Sequence, residues 1–365
     1  MEITLSGSYD LSALAAAWTD LESRADGGFF LSWQWIGTWL RATGAKPLLV
    51  KASDAGVVIA LGLLVPVRIR RHLLSISQLC LHETGRTACD AVMIEHNNFL
   101  IARSAPPALA MDIFKALQSA GTGWEEIVLG GVPLSLVSAA RAAGLHIETD
   151  RISPQFGVEL SAGPQDWEQT LSANQRAQLR QSRAFAGKIG PLRLEAAADA
   201  RQALDFFEKM VVLHTAYWQG QNRPGAFATE FSRGFHRELI GTGGGTELLA
   251  LSAGDQVLGY LYNFRHSGRI CNYQSGFSYS GDNRHRPGLI AHAMAIQQAK
   301  DGGFQVYDFL AGDAPYKARL GKPMGSLFWC RAQKNRPLLR LESAARQLYA
   351  RLRGKPSGQL TSMPA

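Results

Sequence analysis

The run Arg284-His285-Arg286-Pro287-Gly288-Leu289-Ile290-Ala291-His292-Ala293-Met294-Ala295 constrains the fold more than any other stretch of the chain. It follows a strand-like run over 269–279 and a Gly281-Asp282-Asn283 turn, and Pro287 presets the first turn of a helix. From 289 to 300 the residues are Ala-, Ile-, Met- and Gln-rich with no breaker, so the helix is expected to run to Gly302-Gly303. A helix N-terminus offers unpaired backbone N–H groups and partial positive charge. Here Arg284 and Arg286 flank it, and Gly288 has no side chain to keep a ligand away. The pattern suits a phosphate seat; it equally suits a capped helix whose arginines are solvated.

The neighbouring segments supply an order. A strand over 192–196 precedes helices over 199–216 and 226–240, then strands over 246–252, 256–265 and 269–279. After the helix come a short apolar strand over 305–310, the segment Ala311-Gly312-Asp313-Ala314-Pro315-Tyr316-Lys317, and a strand over 326–331. This order resembles the GCN5-related N-acetyltransferase (GNAT) superfamily. More narrowly, Pro287-Gly288-Leu289-Ile290, Tyr307-Asp308-Phe309-Leu310-Ala311-Gly312-Asp313 and Tyr316-Lys317 resemble the BioF2-like, or CelD-like, branch, which is similar to the FemA/FemB/FemX transferases. The likeness spans about 167–331. It departs from the superfamily's usual Arg/Gln-x-x-Gly-x-Gly/Ala, since His285 stands three before Gly288 and Ile290 two after it.

The resemblance implies an α/β fold, a mixed sheet with flanking helices, and an N-acyltransferase that uses acetyl-CoA or another acyl-CoA as co-substrate. It places the donor along Gln274, Ser275, Gly276 and Phe277, a splayed fourth strand, and at Arg284, Arg286, Gly288 and Leu289. Transfer needs a neutral amine, a donor to polarise the carbonyl and a proton for the leaving group. Tyr316 is the candidate proton donor by its place after the fifth strand. Asp308 is a candidate base, and Lys317 would favour the phenolate or bind an acidic acceptor group. Asp313 would orient the acceptor amine, or cap the helix that starts at Pro315. His214, Tyr217 and Trp218, at the end of the 199–220 helix, are candidate acceptor-binding residues, with core packing as their other reading.

The N-terminal half repeats the order: a strand over 2–6, helices over 11–22 and 32–40, strands over 46–52, 57–70 and 73–81, a helix over 107–120, a strand over 127–129, a helix over 134–143 and a strand near His146. It lacks an Arg-x-Pro-Gly helix start, so the expected organisation is an N-terminal GNAT-like domain over 1–160 without a donor site, a donor-binding domain over 161–333, and a tail over 334–365. A helix over 167–188 is expected to set Arg176, Arg180 and Arg183 on one face.

A hydrophobic content of 46% excludes a mostly disordered chain. No uninterrupted apolar run reaches membrane-spanning length. No basic segment followed by an apolar run opens the chain, so no export signal and a cytoplasmic location are expected. Cys80, Cys89, Cys271 and Cys330 form no CxxC pair and read as reduced core thiols; no metal-ligand spacing is present. The tail supplies +6 of the formal +8 charge, and Leu338, Leu341, Ala345, Leu348 and Leu352 recur at helical spacing. That is the pattern of a basic amphipathic helix able to lie on an anionic inner membrane, or of a terminal helix packed on the body.

The expected partner is a small-molecule, sugar or envelope-glycan acceptor, with no DNA. Two alternatives stand beside this reading: a FemA-like transferase that takes its aminoacyl group from charged tRNA, an RNA partner the net charge would suit, and a non-catalytic accessory protein of exopolysaccharide synthesis.

Overall fold

The computed structural model describes residues 1–72 and 74–337, with Leu339 and Glu342. The described residues divide into two compact units, one made of Met1–Ser153 with those from Ser326 onward, the other of Pro154–Gly325.

The first unit holds β1 (Glu2–Ser6), α1 (Leu11–Ser23), α2 (Trp33–Thr43), β2 (Leu48–Asp54), β3 (Val57–Arg71), β4 (Leu74–Leu81), α3 (Thr87–Asp90), β5 (Leu100–Ile101), α4 (Leu109–Ser119), β6 (Glu126–Pro133), α5 (Leu134–Ala142) and the start of β7 (His146–Glu159). Its strands are ordered β1-β2-β3-β4-β6, antiparallel except for the parallel pair β4/β6. Local chemistry sets the helix ends. Ser32 Oγ accepts the Trp35 N–H at 3.2 Å to start α2, which buries Trp35 and Trp39 and stops at Gly44 in the left-handed region, φ 60°.

The second unit holds the rest of β7, α6 (Ala173–Ala186), β8 (Leu192–Ala196), α7 (Ala200–Gly220), α8 (Glu230–Gly241), β9 (Thr246–Ala253), β10 (Gln256–His266), β11 (Arg269–Phe277), α9 (Pro287–Asp301), β12 (Val306–Ala311), α10 (Pro315–Leu320) and the start of β13 (Lys322–Gln333). Its order is β8-β9-β10-β11-β12-β7, antiparallel except for the parallel pair β11/β12. The repeated element order therefore yields the same topology twice. The last strand of each half is counted with the other unit: residues 155–159 of β7 pair with β12, and residues 327–333 of β13 pair with β6.

Helix α9 starts with Pro287 at its first turn, as the sequence indicates, and is buried around most of its circumference through Ile290, Ala291, Ala293, Ile296 and Ala299. Small side chains let the helix lie close to the sheet, and each buried isoleucine contributes about 1.5–3 kcal/mol. The four cysteines are free and buried. Among the described residues no helix is long and apolar enough to cross a membrane, and no group of His, Cys, Asp or Glu could hold a metal ion.

Two sequence expectations change. The helix expected over 167–188 is a 3-10 turn, Trp167–Thr170, followed by α6. The break is a capping box, with Ser172 Oγ accepting the Gln175 N–H at 3.3 Å and Gln175 Oε1 accepting the Ser172 N–H at 2.7 Å. Its arginines do not form a free basic face. Arg183 grips Glu168 through bonds of 2.9 and 2.5 Å, Arg176 donates to the Leu171 and Gln169 carbonyls, and Arg180 is exposed. Most of the amphipathic tail helix expected over 334–355 lies outside the described residues.

Candidate functional site

The site begins where two parallel strands part. Strands β11 and β12 are paired only from Arg269/Val306 to Cys271/Asp308, so the rest of β11, through Phe277, loses its neighbour on that side. On its other side β11 stays paired with β10 to Gly259/Phe277, and the Ser278 N–H donates to Leu258 O at 2.9 Å. Antiparallel strands turn successive residues to alternate edges, so Ser275 and Phe277 direct their N–H groups into the opening. The Ser275 carbonyl on that edge accepts from His214 Nδ1 at 3.0 Å. Gly276 turns the other way: a Cβ there would come within 2.4 Å of Met210 O, so only glycine lets α7 press on the strand.

A cavity of about 350 Å³ occupies this opening. Ser275 and Phe277 form one wall, the start of α9 with His285, Arg286, Gly288 and Leu289 a second, and Gln175 and Gln178 of α6 a third. Tyr316, Arg319 and Leu320 of α10 close it, with His292 from the second turn of α9. A Cβ on Gly288 would stand 3.1 Å from Phe277 Cε2, so the ring would have to give by a few tenths of an ångström.

The predicted donor residues separate here. Arg286 lines the cavity with its guanidinium held by Gln178 Oε1 and the Asn283 carbonyl, both at 2.7 Å. Arg284 does not line it: its guanidinium pairs with Asp282 at 2.6 Å, holds that carboxyl down to about 2, and lies over the Phe185 ring. Arg319, which the sequence reading did not select, faces the cavity, and among the described residues its guanidinium has no hydrogen-bond or ion-pair partner. Gln274 is buried in β11 beside the cavity-lining Ser275 and does not itself line the cavity.

Tyr316 lines the cavity. Burial, with Tyr279 nearby, pushes its phenol well above the ordinary value of 10.0, so it is a neutral proton donor. Its ring stacks on His292, centroids 5.1 Å apart and planes 14° from parallel, and meets Phe309 edge-on. Lys317 does not face the same space and does not favour a phenolate. It is 4% exposed, and its Nζ donates to Ala311 O at 2.5 Å. Asp308 is 1% exposed and does not line the cavity. Its carboxylate pairs with Arg269 at 2.8 Å and accepts the Leu310 N–H at 2.7 Å. Both side chains thus clamp the end of β12, where Leu310 has φ 61°, an uncommon conformation for a branched side chain. Asp313 is exposed and away from the cavity, and Ala314, with no side-chain bond, stands at the start of α10.

The acceptor candidates on α7 also divide. His214 is a satisfied core histidine: Nδ1 donates to Ser275 O, Nε2 accepts the Ala226 N–H at 3.2 Å, and burial lowers its pKa to about 4. Tyr217 is 45% exposed and packs on Tyr279, which lines the cavity. Trp218 is half-buried against His214 and Tyr217. His292 and Gln178 were missed. A histidine inside an alanine-rich helix carries no local signal, whereas the Ser172-x-x-Gln175 capping box that starts α6 is legible in the sequence.

Set against known proteins, residues 173–318 match the family described as acetyltransferase (GNAT) domain, a range that holds the cavity-lining residues except Arg319 and Leu320. The crystal structure of FemX shares the fold with a TM-score of 0.59 at 12% identity, over 94% of this chain and 100% of that one. The chain has a GNAT-like fold. The C-terminal domain of a putative lysylphosphatidylglycerol synthetase from Agrobacterium fabrum matches with a TM-score of 0.55 at 12% identity, covering 97% of this chain and 99% of that one. L-PGS from Bacillus licheniformis gives 0.54 at 12% identity, over 93% and 96%. None of the curated proteins matches the chain.

Proposed function

We propose that the protein is a transferase of the GNAT/FemX structural class that passes an acyl or aminoacyl group from an activated carrier to an amine in the second-unit cavity. The observation that carries this reading is the meeting, in one cavity, of the unpaired β11 edge at Ser275 and Phe277, the open start of α9 and the protonated Tyr316 phenol. The strand edge supplies N–H donors to the acyl oxygen, and the phenol supplies the proton that a departing group needs. The residues suit a phosphate-bearing carrier: Gly288 keeps the α9 start open, Leu289 borders it, and Arg319 has charge to spare.

Two carriers fit the class. Likeness over more than nine-tenths of the chain to FemX and to lysylphosphatidylglycerol synthetase domains favours an aminoacyl group carried on tRNA, and the +8 charge suits RNA. The acetyltransferase-domain match over 173–318 favours acyl-CoA. The motifs over 287–321 keep the BioF2-like branch as the finer reading of the second carrier. The acceptor is a small molecule, glycan or lipid amine, and the basic tail is the proposed means of dwelling at a membrane surface.

The test supplies full-length protein with labelled acetyl-CoA or labelled aminoacyl-tRNA and a panel of amino sugars, amino lipids and peptide amines. Label joined to an acceptor by an amide supports the reading and names the carrier. Label in no acceptor from either carrier overturns it.

A further inference from the structure

A chain of polar side chains crosses the core of the second unit and ends at the cavity. Glu247 on β9, paired with Arg265, accepts from Asn263 Nδ2 at 3.0 Å. Asn263 Oδ1 accepts from Asn272 Nδ2 at 2.9 Å. Asn263 also acts on the Tyr307 hydroxyl, pulling its pKa down against burial as a hydrogen-bond donor does, and that hydroxyl lies 3.3 Å from His292 Nδ1. Asn263 and Tyr307 are fully buried, and Asn272 is 4% exposed. Such groups destabilise a core unless all are satisfied, so their direction carries information.

The direction is fixed from one end. A carboxylate only accepts, so the Asn263 amide nitrogen must face Glu247. Its effect on the Tyr307 phenol is that of a donor, so the second amide hydrogen is assigned to Tyr307 Oη. A buried O–H without an acceptor is costly, and the acceptor the described residues offer it is His292 Nδ1. His292 is thereby a neutral imidazole carrying its hydrogen on Nε2, and burial, with Lys317 nearby, lowers its pKa to about 3, which keeps it neutral at working pH. The side chain is 2% exposed yet borders the cavity, and with Nδ1 engaged, Nε2–H is the polar group left to meet a ligand.

We infer that His292 is a catalytic residue that hydrogen-bonds the acyl oxygen through Nε2–H, with Tyr307 and Asn263 as the positioning residues that fix its tautomer. This rests on the proposed transfer function. As the acceptor nitrogen forms its bond to the acyl carbon, the carbonyl π electrons move onto oxygen, where Nε2–H and the β11 edge stabilise them. When they return, the bond to the carrier breaks, the leaving atom takes the Tyr316 proton, and the phenolate regains one from the newly bonded nitrogen. His292 transfers no proton. It stacks on Tyr316, so the donor to the oxygen and the donor to the leaving group are held side by side.

Long-range proton–nitrogen NMR of the full chain labelled in histidine nitrogen reads the tautomer directly, with the His292 signals identified by their loss in His292→Gln. The expected result is Nε2–H in the wild type and a mixture of tautomers in Tyr307→Phe. In transfer assays His292→Leu should lower kcat about 100-fold with KM little changed, and His292→Gln, which keeps an N–H, should recover part of the loss. An Nδ1–H tautomer in the wild type, or an unchanged kcat in His292→Leu, overturns the inference alone. Absence of transfer by the wild type from either carrier overturns the function beneath it.

Discussion

The imidazole of His292 and the phenol of Tyr316 lie face to face, ring centroids 5.1 Å apart, although one belongs to the helix before β12 and the other to the helix after it. The stack sets the phenol against the cavity, and the clamp at the end of β12 sets the direction from which it arrives. Asp308 holds the Leu310 N–H and Lys317 the Ala311 carbonyl, so both charged side chains act on the backbone at the end of β12.

Tyr316→Phe keeps the ring and removes the proton. It should lower kcat by about two to four orders of magnitude and leave carrier affinity near the wild-type value. Because burial raises the phenol above 10.0, the wild-type rate should show no loss from tyrosine ionisation as pH rises toward that value. Steady-state kinetics with a pH series checks both. Full activity of the phenylalanine variant would mean that water protonates the leaving group.

Asp308→Ala should act on stability. Its carboxylate is buried with two partners, so the fold should lose about 1–3 kcal/mol in a urea titration, and activity per folded molecule should fall only as far as Tyr316 is displaced. A stable variant with no turnover would return Asp308 to the chemistry.

These two residues mark how far local sequence reaches. The Pro287-Gly288 start and the breaker-free run after it are properties of the chain itself, so α9 was legible, and with it the cavity wall. Tyr316 was legible from its place after β12. The partner of Asp308 is Arg269, 39 residues away, and only the parallel pairing of β11 with β12 brings the two together. The exchange of β7 and β13 between units was illegible for the same reason: an apolar strand pattern specifies a buried sheet position but not which neighbour it joins.

The arginines near the cavity should differ in effect. Arg319→Ala should weaken binding of a phosphate-bearing carrier by about three- to tenfold, more at low salt, because its guanidinium is free to pair and partly screened. Arg284→Ala should change affinity little, since Asp282 already occupies that side chain. Equal losses from the two would contradict the assignment.

Acid should unfold the second unit through its buried histidines. His214 is lowered from 6.5 to about 4, and His236 and His292 to about 3, all by burial. The unfolded chain therefore takes up protons first as pH falls. The stability these neutral rings contribute is present above 6.5 and is lost on going down toward 4 and 3. Urea midpoints between those limits should fall steeply, and His214→Gln should flatten the slope. A midpoint independent of pH over that window would contradict the burial of neutral imidazoles.

The most direct measurement is calorimetric titration of the full chain with acetyl-CoA and, separately, with aminoacyl-tRNA, for the wild type and for Gly288→Val. A side chain at Gly288 starts 3.1 Å from the Phe277 ring and projects into the space where β11 and α9 meet. The account predicts one-to-one binding of one carrier by the wild type and at least about tenfold weaker binding by Gly288→Val, with thermal unfolding little changed. Binding of neither carrier, or equal affinity for the two proteins, would contradict it.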